Sequence, residues 1–413
     1  MRSMWTRSVL ATLTVATLVT GCSSGGDGPS NASGQTISEA AAPGEIDPGN
    51  FRTTPQAPFG TVSDETQGRV IEGQRLAEFV VLPSEVDPRL LDNFSGTTGA
   101  FAGANSVRGV PYTDGQVDVL ARENMMLGFA SNASYRADEP GVDPGTRNAL
   151  YLMVMRFPDA ESARRAAQGL IEQSYLPTEY SPAAVSTPID VLPDTLVSSK
   201  PTALGGVSSD SFTARGDYVI SVDASAPEGQ QDWVARSIAT AVDRQGTLLD
   251  RFSSTPSDRF TELPIDEDEV LVLTLEQDAD NANRDRRAVY GARGAAHTST
   301  DSTKTLEEFE KSNSDRMATD GTNVYRSADA SGAAVMYDML KQEYLDMGFE
   351  PSAGSPGVPD SSCLSKDTTV GVQTACLMHK DRYTAELSTL EDETKAHRMT
   401  AAQYLVLDTA TGS

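Results

Sequence analysis

Residues 124–407 read as two copies of one pattern set about 165 positions apart. The first copy has a short apolar segment at 124–130 and a stronger one at 149–157. Pro158-Asp159 then opens an amphipathic stretch at 160–174, where Ala163, Ala166, Ala167, Leu170 and Ile171 share one face and Arg164, Arg165 and Gln168 the other. A hairpin-like pair, 212–214 and 217–223, precedes a second helix at 229–244. The second copy gives strands at 287–293 and 323–327, a helix at 330–344 capped by Asp329, and a pair at 372–379 and 382–388. It ends in a helix at 392–407, in which Met399, Ala402, Leu405 and Val406 keep helical spacing. Pairing Gly128 with Gly291, Asp159 with Asp329 and Tyr218 with Tyr383 gives offsets of 163, 170 and 165, which points to duplication. Each copy is therefore expected to run strand, strand, helix, strand, strand, helix. The fold class that follows is α+β: two tandem related units, each an antiparallel sheet with helices packed on one face, as in the ferredoxin-like sandwich.

The flanks divide the chain. Residues 23–44 are rich in Gly, Ser, Ala and Pro without apolar periodicity and read as a flexible tether. The apolar run Leu76, Ala77, Phe79, Val80, Val81, Leu82 makes 73–82 an expected strand, and 93–110 reads as loop. Between the copies, 246–277 reads as an extended connector with a short helix or strand. Its acidic run, Asp266-Glu267-Asp268-Glu269, is expected to be a solvated face. The resulting division is a signal segment at 1–21, a tether at 22–44, a first α+β domain at 45–250, a connector at 251–285 and a second α+β domain at 286–413.

The N-terminus carries the address. Arg2 and Arg7 precede an uncharged apolar stretch, 9–19, that is too short for a bilayer-spanning helix, which takes about 20 residues. It ends in Val19-Thr20-Gly21-Cys22, which resembles the bacterial lipobox. That resemblance implies cleavage before Cys22, a diacylglyceryl group on its thiol, and anchoring to the outer face of the cell membrane. A single acyl chain holds a protein only marginally, whereas two or three make release slow. No second long apolar run follows. The net charge of −26 argues against nucleic acid, because phosphate recognition needs basic surface, and it would repel anionic headgroups. Partners are therefore expected to be the lipid anchor's membrane and an envelope protein or small ligand.

With Cys22 taken by lipid, Cys363 and Cys376 are the remaining two of three cysteines. In an oxidising compartment an even pair at short spacing reads as a disulfide. The alternative is a zinc site, for which His379 is the one nearby histidine and two further ligands are wanting. Catalytic signals are weak: no Gly-x-Ser-x-Gly elbow occurs, and the three histidines, His297, His379 and His397, lack a motif that would make them bases. Asp278-Ala279-Asp280-Asn281-Ala282-Asn283 opens like a calcium loop. It has Asn283 where glycine is needed and Val289 where glutamate is needed. Trp233 lies in a helical stretch and is expected in the core. No catalytic residue, cofactor or metal ligand is assigned.

Asp47-Pro48-Gly49-Asn50-Phe51 with Thr53-Thr54-Pro55, the segment Gly73-Gln74-Arg75-Leu76-Ala77-Glu78, and the junction Arg156-Phe157-Pro158-Asp159-Ala160 carry a further likeness. Together with the late cysteine pair, the chain resembles an uncharacterised family of lipoproteins from actinobacteria with mycolic-acid envelopes. The resemblance implies membrane attachment and a duplicated α+β body, and it brings no activity. The expected role is a non-enzymatic binding or envelope-structural protein with a cleft between its halves. A lipid or glycolipid carrier and an envelope hydrolase are the alternatives.

Overall fold

A computed structural model of the chain describes residues 45–93, 97–107, 112–143, 145–179, 181–277, 287–390 and 392–412. The signal segment, the tether, Cys22 and the 278–283 segment lie outside these.

The duplication is one of topology. The first sheet contains β1 (Gly99–Phe101), β2 (Leu127–Ser134), β3 (Ala149–Arg156), β4 (Val185–Ser186), β5 (Leu196–Pro201), β6 (Val207–Arg215) and β7 (Tyr218–Ala226). Its spatial order is β1-β2-β3-β7-β6-β5-β4. The second contains β8 (Ala288–Tyr290), β9 (Ser314–Thr319), β10 (Asn323–Ser327), β11 (Glu350–Ser352), β12 (Ser362–Thr368), β13 (Gly371–Lys380) and β14 (Tyr383–Thr389). Its order, β8-β9-β10-β14-β13-β12-β11, repeats the first strand for strand. Every neighbouring pair in both sheets is antiparallel. The helices are α1 (Glu65–Leu76), α2 (Pro83–Val86), α3 (Asp114–Arg122), α4 (Ala160–Ser174), α5 (Gln231–Leu249), α6 (Ala292–Thr298), α7 (Ser302–Lys311), α8 (Ala330–Asp346) and α9 (Glu393–Thr411).

Local chemistry explains why the copies match. Asp159 and Asp329 are both N-caps, accepting from the amides of Ser162 and Gly332, so α4 and α8 start at equivalent points. The β6–β7 and β13–β14 hairpins each turn through two residues, with Gly216 and Asp381 at positive φ. Tyr218 and Tyr383 follow those turns and pair with Arg156 and Arg326. Asn124 and Asn313 both adopt the left-handed conformation just after α3 and α7, a common way to stop a helix and enter a strand. The repeat therefore includes a helix before β2 and β9 that the apolar pattern did not disclose.

The helices cover both faces of each sheet, which departs from the one-face, ferredoxin-like expectation. Along β3, Tyr151, Met153 and Met155 meet Ala163, Ala166, Leu170 and Ile171 of α4. The alternate residues Leu150, Leu152 and Val154 belong with Val234, Ile238 and Ala241 of α5. A strand buried on both faces reads as a continuous apolar run, and 149–156 is one. The second sheet repeats this arrangement. Leu364, Ala375 and Leu377 lie with Met336 and Leu340 of α8. Cys363, Cys376 and Leu387 lie with Ala396, Met399, Ala402 and Val406 of α9.

Three further expectations are corrected. The strand expected at 73–82 is absent: helix α1, capped by Asp64 through the amide of Gln67 and buried on several sides by Val70, Ile71, Glu72, Gln74 and Leu76, runs to Leu76, and a 3-10 turn, Ala77–Phe79, follows. Gly291 is not the partner of Gly128: it precedes α6, while the counterpart of β2 is β9. The expected loop at 93–110 holds β1, which pairs with β2. The connector carries short 3-10 helices, Ser257–Glu262 and Leu271–Leu273, and packs on the second half. Val270, Leu271, Val272 and Leu273 are buried with Leu407 of α9, and Gln403 donates to the Leu273 carbonyl at 2.8 Å. The first described residues also attach to the second half, through Asp47 with Arg398 at 2.9 Å, and to the connector, through Gln56 N–H to the Val272 carbonyl at 2.8 Å.

Candidate functional site

The two halves meet around α1, which contacts β1 and β2 on one side and β8 on the other. Where α1, the connector and the β8–β9 edge converge, a cleft of about 480 Å³ opens. Its lining mixes apolar side chains, Ile71, Phe79, Phe252, Leu263, Ile265 and Val289, with charged ones, Arg75, Glu78, Glu267, Asp268 and Arg316. Clefts at domain boundaries with this mix are common binding places.

Four of the five charged groups are held by their neighbours. Glu72 is fully buried, and its carboxylate accepts from the Thr255 amide at 2.7 Å and the Thr255 hydroxyl at 2.9 Å. It also pairs with Arg75, whose guanidinium reaches Thr255 Oγ1 at 2.7 Å and lies 5.9 Å from the Phe252 ring centre. Phe252 packs on Phe79 with ring centres 5.1 Å apart. Glu78 Oε1 accepts from the amides of Gly291 and Gly294 at 2.8 and 2.9 Å, satisfying donors at the start of α6. A Cβ on Gly294 would come within 2.5 Å of the Tyr290 ring and 2.6 Å of Glu78, so glycine is required there.

The acidic run is only half solvated. Asp266 accepts from the amides of Val270 and Val272 at 3.1 and 3.0 Å, and burial raises its pKa above the usual carboxylate value. Asp268 binds Arg316 and, at 3.1 Å, Arg326. Glu267 and Glu269 face solvent.

The structure keeps the histidines apart. His297 lies at the junction of the halves, fully buried, with Nδ1 2.7 Å from Ser131 Oγ and Nε2 3.1 Å from the Ala77 carbonyl. Burial, aided by the charge of Arg293, lowers its pKa to about 3. It is a neutral linker between halves. His379 packs on the Tyr337 ring, and His397 Nε2 meets the Ala353 carbonyl at 2.9 Å. Trp233 is half-buried and donates to Asp87 at 2.8 Å. Cys363 and Cys376 form a disulfide between directly opposed positions of β12 and β13. Among the described residues no group of three or more His, Cys, Asp or Glu is arranged to hold a metal ion, and no helix is long and apolar enough to cross a membrane. The residues of the cleft carry no spacing motif, because they come from separate segments of the chain.

Two family descriptions match the chain. The N-terminal part of a domain of unknown function (DUF7373) covers residues 59–265, and its C-terminal part covers residues 270–410. A comparison with curated proteins finds no match. Among solved structures, the extracellular domain of PknH from Mycobacterium tuberculosis is similar at 13% identity and a TM-score of 0.29, over 42% of this chain and 96% of that one. A likeness of that size carries no inference about role.

Proposed function

This chain belongs to the DUF7373 family, whose N-terminal and C-terminal parts it carries in order, and from that premise we propose that it is a lipid-anchored, extracytoplasmic binding protein of the cell envelope. The ligand-binding place is the cleft between its halves. The observation that carries the reading is the cleft itself, lined by the packed rings of Phe79 and Phe252 together with opposed charges. Such a lining suits an amphipathic ligand or a protein segment, which sets an apolar group against the rings and polar groups against the charges. The lipobox-like Gly21-Cys22 supports the anchor, and the Cys363–Cys376 bond supports an oxidising compartment.

The test has two arms. Cys22→Ala should abolish labelling by a fatty-acid probe and release the protein from membranes; continued labelling removes the anchor from the reading. For the cleft, native protein is purified from envelope membranes and its co-purifying proteins and lipids are identified by mass spectrometry, alongside a Glu267→Trp variant. Glu267 is an exposed lining residue, so the indole plugs the cleft without a cost to the core. Species lost on plugging are cleft ligands. Identical profiles from both proteins would refute binding there, and loss of lipid alone would replace the binder with a carrier.

A further inference from the structure

We propose that the first half binds a hard divalent cation, with calcium the best fit, between Asp210, Asp223 and Ser198 on the α4 face of its sheet. The register places these residues in one row across three strands, with Ser198 opposite Asp210 and Asp210 opposite Asp223. Tyr151 of β3 continues the row beside Asp223. Directly opposed residues on adjacent strands point to the same face, and like charges so placed repel.

The side chains around this row compensate its charge poorly. Lys200 Nζ stands 3.7 Å from Asp210 Oδ2, beyond hydrogen-bond reach. Ser208 Oγ donates to Asp223 Oδ2 only at 3.4 Å. Burial and the neighbouring Asp210 push the Asp223 carboxyl well above the ordinary carboxylate range. Ser198 is the independent sign. Its side chain is fully buried, and among the described residues its Oγ meets no donor or acceptor. A buried hydroxyl without a partner is costly to keep, and fold alone does not demand one here.

The second half supplies an internal control. Counting from the equivalent hairpin turns, Asp210 and Asp223 correspond to Ala375 and Ser388, and Ser198 corresponds to Leu364. The same topology is thus built with Leu and Ala in the row, so the carboxylate pair is an addition peculiar to the first half. Two carboxylates offer up to four oxygens and the hydroxyls of Ser198 and Ser208 two more. That set approaches the six to eight oxygens calcium takes and, with no nitrogen or sulfur donor, does not suit zinc. A cation there offsets the repulsion of the paired carboxylates, satisfies Ser198 and displaces Lys200, whose ammonium group competes with it.

The full chain, stripped with chelator, is titrated with CaCl₂ and separately with MgCl₂ by calorimetry at fixed ionic strength, with circular dichroism confirming that each variant is folded. One calcium site is expected, in the range of about 10⁻⁴–10⁻³ M typical of extracellular modules. Asp223→Asn should weaken it at least tenfold, Ser198→Ala should weaken it severalfold, and Lys200→Met should tighten it. No calcium heat in the wild type overturns the proposal. So does equal binding by wild type and Asp223→Asn, which would mean diffuse attraction to an acidic surface. Weaker binding by Lys200→Met, or magnesium binding as tight as calcium, would also overturn it.

Discussion

Replacing Glu308 by glutamine should make the protein more stable at alkaline pH. Glu308 lies on α7 and is 2% exposed, and its Oε1 has no hydrogen-bond partner among the described residues. Burial first, then the charges of Glu343 on α8 and Glu386 on β14, raise its pKa from 4.5 to about 8, against the opposing Lys304. Glu386 is already committed, accepting from Tyr325 Oη at 2.7 Å, Asn323 Nδ2 at 2.9 Å and Tyr344 Oη at 3.2 Å. Between pH 4.5 and about 8 the native chain holds a proton that the unfolded chain has lost. Unfolding free energy therefore falls as pH rises through that window. At about 1.36 kcal/mol per pH unit the ceiling is about 5 kcal/mol. Screening and local relaxation reduce this to about 2–3 kcal/mol, since buried carboxylates behave as if in an effective dielectric near 20.

Glutamine keeps the shape and cannot ionise. Glu308→Gln should match the wild type near pH 4 and exceed it by about 2–3 kcal/mol at pH 9, or about 3 °C in melting temperature for a chain of this length. Calorimetric melts from pH 4 to pH 9 on both proteins read the difference directly. Parallel curves, or a variant less stable than the wild type at pH 9, would refute the reasoning. Because Glu343 is one of the charges facing Glu308, Glu343→Gln should shift the wild-type decline to higher stability at alkaline pH.

Three other outcomes are expected. Cys363→Ser should cost about 2–4 kcal/mol without reductant, and dithiothreitol should lower the wild type to the same melting point; unchanged melting would show that the bond does not constrain the fold. Gly294→Ala should cost about 1–3 kcal/mol through overpacking against Tyr290 and Glu78. In denaturant titration, adding Glu78→Ala should recover part of that loss. Asp159→Ala and Asp329→Ala should each cost about 1 kcal/mol as equivalent caps, and hydrogen exchange should show fraying confined to the first turns of α4 and α8 respectively.

Much of the body was legible from one dimension. Helix α4 begins and ends where its apolar face and Asp159 place it, and β10 spans the 323–327 expected. The hairpins at Gly216 and Asp381 follow from turn residues beside alternating apolar ones. What misled was apolar density without period: Leu76 to Leu82 resembles a strand, yet the helix is decided upstream by Asp64 and by the spacing of Val70, Ile71 and Gln74. The Gly291 pairing failed because a shared glycine is not a shared element, and Asn124 and Asn313 were the better markers. A cleft between the halves was expected, but its lining was invisible because Arg75, Phe252, Asp268 and Arg316 stand far apart along the chain.

The order of amino acids by itself determined the duplication, the starts of α4 and α8, the hairpin turns and the pairing of Cys363 with Cys376, because each depends on residues near in sequence or on a count of thiols. Only the tertiary structure decided that helices flank both sheet faces, that α1 sits between the halves, and that Asp210, Asp223 and Ser198 share one row. Those outcomes depend on long-range register, and register is a property of which strands pair rather than of any strand alone.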